Sequence, residues 1–74
     1  MPENLEPAVA QIWPGQVWRH KKRGTNYWII GLATLQVTDS NDGKMMVVYE
    51  PIDDVTMWVR STDDFLDGKF ERVL

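Results

Sequence analysis

The segment from Asn26 to Thr38 sets the strongest limit on this fold. It places Tyr27, Trp28, Ile29, Ile30, Leu32, Leu35 and Val37 in one run. Apolar residues fall at consecutive positions in its first half, so a strand here needs cover on both faces. The run is also longer than the usual strand of about 5–6 residues. Gly31 lies inside it, where a missing side chain lets a strand bend. These features predict a small sheet that curls onto itself.

The rest of the chain supplies short partners. Pro14-Gly15 signals a turn. Gln16 to Lys21 reads as a strand with Val17 and Trp18 on opposite faces, followed by a tip at Lys22-Arg23-Gly24-Thr25. Asp39-Ser40-Asn41-Asp42-Gly43 is a polar turn, and Met45 to Glu50 is the next strand. Pro51-Ile52-Asp53-Asp54 turns the chain into a fourth strand, Val55 to Arg60. Ser61 fits an N-cap with Asp63 and Asp64 in the first turn, and Asp67-Gly68 stops the element so soon that a 3₁₀ turn is expected. Lys69 to Val73 can form a last strand with Phe70 facing inward. Strand, three-strand meander, 3₁₀ turn and strand is the layout of a mostly β, five-stranded SH3-like barrel. The expected boundaries are an N-terminal arm over 1–13 and the barrel over 14–74.

With 74 residues the chain makes one domain, which hides roughly 60% of its unfolded surface. The core must therefore be dense. The four tryptophans, Trp13, Trp18, Trp28 and Trp58, suit that need. There is no cysteine, which excludes disulfides, thiolate metal sites and cysteine nucleophiles. A single histidine argues against structural zinc. No apolar run reaches the ~20 residues of a membrane span. The start Met1-Pro2-Glu3-Asn4-Leu5-Glu6 is acidic and proline-broken, unlike a secretory signal, so a cytoplasmic location is expected.

Eleven acidic against eight basic residues give a net charge of −3, which disfavours a generic nucleic-acid binder. The charges are nonetheless uneven. Arg19, Lys21, Lys22 and Arg23 are half of the cations, whereas Asp53, Asp54, Asp63, Asp64, Asp67 and Glu71 follow later. One positive edge on an acidic body is expected.

Chemistry has few carriers. His20 is the one imidazole, and nothing in the sequence pairs it with a nucleophile or second acid. A hydrogen-bonded structural histidine and a ligand contact are its two ordinary roles. Arg19, Lys21, Lys22 and Arg23 can meet an anion, or simply keep a sheet edge charged and solvated. Strand alternation puts Arg19 and Lys21 on one face and His20 and Lys22 on the other. Tyr27 and Trp58 are candidates for stacking on a ring, against the alternative of core packing. Arg60 stands two places after Trp58 and so shares its face. That pair can hold a planar anion, or Arg60 can cover an aromatic or bridge an acid. Asp39, Asn41 and Asp42 resemble a calcium loop only faintly, with the glycine one place early and strands on the flanks.

Several of these motifs recur together. Pro14-Gly15, Trp18-Arg19-His20, Lys22, Gly24, Tyr27 with an apolar pair before Gly31, Val47-Val48-Tyr49, Trp58-Val59-Arg60 and Phe65 resemble domain-of-unknown-function family sixteen-fifty-three. That family comprises short bacterial and phage proteins. The likeness runs from Pro14 to about Phe70. Lys21 stands where the family usually has an aromatic, and Ser61 where it often has proline. The resemblance implies an SH3-like barrel and no particular biochemical activity.

The functional expectation is a non-enzymatic binding module without a cofactor or metal. Its site combines Arg19, His20, Lys22, Tyr27, Trp58 and Arg60. The ligand is a small anion, for which a nucleotide-like molecule fits, and a homodimer would complete a pocket that one small barrel has little room for. A protein-interaction adaptor, such as a phage accessory protein acting on a host factor, is the second reading. Single-stranded nucleic-acid binding is the third.

Overall fold

The computed structural model describes residues 11–74. The first ten residues of the expected arm lie outside the described residues. The fold is mostly β: β1 (Val17–His20), β2 (Asn26–Thr34), β3 (Met45–Pro51), β4 (Trp58–Ser61), one short helix α1 (Thr62–Phe65) and β5 (Phe70–Arg72). The strands form one antiparallel sheet in the order β4-β3-β2-β1-β5. The sheet does not close on itself, so β4 and β5 are its two edges.

Local sequence explains most boundaries. At the β1–β2 tip, Gly24 adopts φ 76°, a region that other residues enter only with strain. This lets the Gly24 N–H donate to the His20 carbonyl at 2.7 Å. The expected bend in the long strand is a bulge. Ile29 pairs with Tyr49 and Gly31 with Val48, so Ile30 is the extra residue. The bulge resets the alternation and puts Leu32 opposite Val47. The strand stops at Thr34, short of the expected Thr38, because the next backbone groups bond within their own loop. The Leu35 N–H donates to the Lys44 carbonyl, the Val37 N–H to Asp42 Oδ1, and the Asn41 N–H to Asp39 Oδ1. Asp39 and Asp42 thus spend carboxylate oxygens on loop backbone, the usual work of aspartate in turns.

Two further boundaries depart from expectation. The element after β4 is a single α-helical turn in place of a 3₁₀ turn, since the Leu66 N–H reaches back four residues to the Thr62 carbonyl at 2.9 Å. Ser61 caps it as expected, its hydroxyl accepting the Asp64 N–H at 3.2 Å. The fourth strand begins at Trp58, three residues later than the sequence suggests. Cross-strand partners from β3 extend only from Tyr49↔Trp58 to Met46↔Ser61.

One face of the sheet carries the core: Ile12, Trp18, Tyr27, Ile29, Val47, Tyr49, Phe65 and Phe70, with Leu66 against its side. α1 lowers Phe65 onto β5, where it stacks on Phe70 with centroids 4.2 Å apart and planes 13° off parallel. Trp18 and Tyr49 meet Phe65 edge-on, each at 5.3 Å, and Tyr27 and Tyr49 meet Phe70 at 5.9 and 5.7 Å. Such pairs contribute about 0.5–1.5 kcal/mol each beyond area burial. Buried Gln16 ties the chain before the sheet to this core. Its Oε1 accepts from the Trp13 backbone N–H and from Trp18 Nε1, and its Nε2 donates to the Gln11 carbonyl.

The tryptophans divide between core and surface. Trp18 alone joins the core; Trp13, Trp28 and Trp58 are exposed. Trp28 alternates with buried Tyr27 and Ile29 and so faces the opposite side of the sheet, as exposed Ile30 does. The start of β2 is therefore covered on one face, where two were expected. Trp58 lies on an edge strand with a neighbour on one side only.

Truncation should separate the two groups. Phe65→Ala is expected to lower unfolding free energy in urea by about 3–5 kcal/mol. Trp13→Ala, removing a side chain from a residue that is 64% exposed, should stay within ~0.5 kcal/mol. A larger loss for Trp13→Ala than for Phe65→Ala would refute this core assignment.

Candidate functional site: a cationic cleft beside beta strands 1, 4 and 5

β1 ends at His20, and Lys21, Lys22 and Arg23 form the turn that follows. The imidazole is held from both sides. Its Nδ1 accepts the Arg23 backbone N–H at 3.2 Å, which leaves Nε2 as the proton-bearing nitrogen of the neutral ring. It meets Phe70 in a T-shaped contact, with centroids 5.0 Å apart and planes at 84°. This follows from strand pairing, because His20 stands opposite Phe70 in the β1–β5 ladder. The same ladder continues with the Lys21 N–H donating to the Lys69 carbonyl at 2.9 Å, which brings Lys69 alongside the turn.

The second contribution comes from β4. The Arg60 guanidinium lies over Phe70, 5.2 Å from its centroid, a cation–π contact. Together His20, Lys21, Lys22, Arg23, Arg60 and Lys69 line a cleft of about 680 Å³. Phe70 is thus core on one side and support for two cleft residues on the other. A smaller cleft of about 340 Å³, lined by Arg23, Gly24, Thr25, Asn26, Ile52 and Asp53, adjoins it at Arg23.

The cleft's positive charge is only partly answered. Asp64 pairs with Arg60 at 3.4 Å and with Lys69 at 2.9 Å, and Asp67 also holds Lys69. Lys69's bonds to Asp67, then Asp64, raise its pKa, and its bond to Asp67 lowers that carboxyl's. Lys21, Lys22 and Arg23 have no ion-pair partner among the described residues. Desolvation, followed by the charges of Arg23, Arg60, Lys69 and Lys22, pushes the His20 imidazole below its ordinary pKa. Burial holds the Tyr49 phenol above its ordinary value, with Arg60 pulling it the other way.

The structure brings three of the sequence-derived candidates together: His20, Lys22 and Arg60 all line the cleft. Arg19 points elsewhere and pairs with Glu71 across the β1–β5 ladder at 2.6 Å. Tyr27 is buried in the core. Trp58 is half-exposed on the β4 edge and does not line the cleft. Lys69 joins the site without having been singled out, because its place depends on a pairing between segments some fifty residues apart. Its one sequence signal was its position directly before the inward-facing Phe70. Among the described residues, no group of three His, Cys, Asp or Glu side chains has metal-holding geometry. Nor is any helix there long and apolar enough to cross a membrane.

Fold and site together define a small, mostly β protein whose open antiparallel sheet carries a cationic cleft where its two edge strands, β4 and β5, come together. Its family follows from sequence: the chain belongs to the family described as Protein of unknown function (DUF1653), whose family model matches residues 16–72. Comparison with curated proteins finds no match, and comparison with solved structures finds none.

His20 gives the cleft a built-in reporter, as the only histidine in the chain. Its NMR titration should fall below the ordinary histidine range. Arg23→Gln should move it upward, because the largest neighbouring charge is removed, while Arg19→Gln should leave it in place. An Arg19→Gln shift as large as that of Arg23→Gln would refute the arrangement.

Proposed function

We propose that this chain is a non-enzymatic binding module whose cleft holds a small phosphate-bearing anion. The observation that carries the reading is the convergence of five cations and His20 on one cleft, with three of the cations unpaired among the described residues, in a chain of net charge −3. Like charges brought together repel one another, so an anion that joins them recovers that energy as well as forming charge-assisted hydrogen bonds. Phe70 pre-positions Arg60 and His20, which reduces the ordering cost of binding.

The adjoining smaller cleft supports a ligand longer than phosphate alone. Arg23 borders both clefts, and Asp53 and Thr25 in the second can accept hydrogen bonds from hydroxyl or amine groups. A nucleotide-like molecule satisfies this pattern in its phosphate and sugar. Base stacking has weaker support, because Tyr27 is buried and Trp58 does not line the cleft. The SH3-like barrel remains our reading of the fold. Its support is the strand order and α1, which directly follows one edge strand and packs Phe65 on the other.

Pyrophosphate is the simplest probe. It should bind more tightly as pH falls through the His20 pKa, because the protonated imidazole adds a charge, and bound anion should raise that pKa in turn. Lys22→Ala and Arg23→Ala should each weaken binding about tenfold, or ~1.4 kcal/mol, by calorimetry, and Arg19→Ala should not. If neither pyrophosphate nor a nucleoside monophosphate perturbs the His20 resonances, the assignment is wrong.

A further inference from the structure

The β4 edge carries a surface that the cleft does not use. Val55, Met57 and Val59 are 87%, 58% and 61% exposed, and Trp58 between them is half-exposed. β4 is the last strand in the sheet order, so among the described residues no strand covers its outer side. Edge strands of soluble proteins are usually protected by charges, proline or a bulge, yet Val55 to Val59 contains none of the first two. The stretch has strand-forming composition from Val55, but its pairing with β3 begins only at Trp58. Three residues of that strand-forming composition are left without a ladder.

The sequence of this edge complements itself. In an antiparallel pairing centred on Met57, Met57 meets Met57, Val55 meets Val59, Thr56 meets Trp58 and Asp54 meets Arg60. Strand alternation puts Val55, Met57 and Val59 of both copies on one face, where they form a single apolar group of six side chains. The ends carry opposite charge, so this orientation sets acid beside base. Two-fold symmetry demands the antiparallel orientation, whereas a parallel pairing of identical edges would not close.

We infer that a second copy of this chain pairs with β4 to form a two-fold dimer with one continuous sheet, using Asp54–Arg60 of each copy. The contact is one strand wide, so association is concentration-dependent and not obligate. Arg60 borders both surfaces, but Met57 and Val55 lie outside the anion cleft, so substitutions at those two positions test the dimer without touching the anion site.

Sedimentation velocity over a concentration series tests this. The wild-type chain should pass from monomer to dimer. Met57→Lys places like charges on the two-fold axis and should weaken association by at least about tenfold; Met57→Glu should do the same. An equimolar mixture of the two variants should recover the dimer. Val55→Lys, at the most exposed apolar residue among those described, should also weaken association and provides a second site should Met57 variants fold poorly. A wild-type chain that stays monomeric at its highest soluble concentration overturns the inference. So does a dimer unaffected by Val55→Lys and Met57→Lys, or a mixture of the two Met57 variants that stays monomeric.

Discussion

The Phe70 ring is the constraint on which both the fold and the site depend. On one side it stacks with Phe65 and meets Tyr27 and Tyr49. On the other it carries the edge contact of His20 and the guanidinium of Arg60. A domain of this size has few residues to spend on each task. One aromatic that finishes the core and supports the cleft makes the cleft's geometry a consequence of folding. Phe65 matters for the same reason, since the stack it makes from α1 holds Phe70 in place.

Strand existence was legible in the sequence because apolar and β-branched runs alternate with turns rich in glycine, proline or aspartate. The bend near Gly31 was also legible, and appears as the bulge at Ile30. Boundaries were less so where pairing decides them. Val55 to Met57 has the composition of a strand, yet the ladder with β3 begins only at Trp58, and Leu35 to Thr38 yields to side-chain and backbone bonds within the Leu35–Lys44 loop. Which tryptophans stay outside the core was not legible, for a similar reason. Hydrophobicity shows that a side chain gains from burial, but not whether a small sheet has material to cover both of its faces.

The site was partly legible. Strand alternation put Arg19 on the face opposite His20, yet the expected site joined them; the structure keeps them apart by pairing Arg19 with Glu71. Lys21 nevertheless reaches the cleft because β1 ends at His20, and alternation no longer holds in the turn. Arg60 and Lys69 belong to the cleft through the β1–β5 ladder and the shared Phe70 ring, contacts between residues far apart in the chain. The positive edge itself was legible despite the negative net charge. Asp64 and Asp67 are turned toward Lys69, while the β1–β2 tip keeps its cations unanswered among the described residues.

The most direct test of this account is a double-mutant cycle in urea unfolding between Phe70→Leu and Arg60→Gln. If one ring joins core and cleft, the two losses should be non-additive, with a coupling of about 0.5–1 kcal/mol from the cation–π contact. Strict additivity would mean that Arg60 and Phe70 act independently, and would contradict a cleft built on the core's own ring.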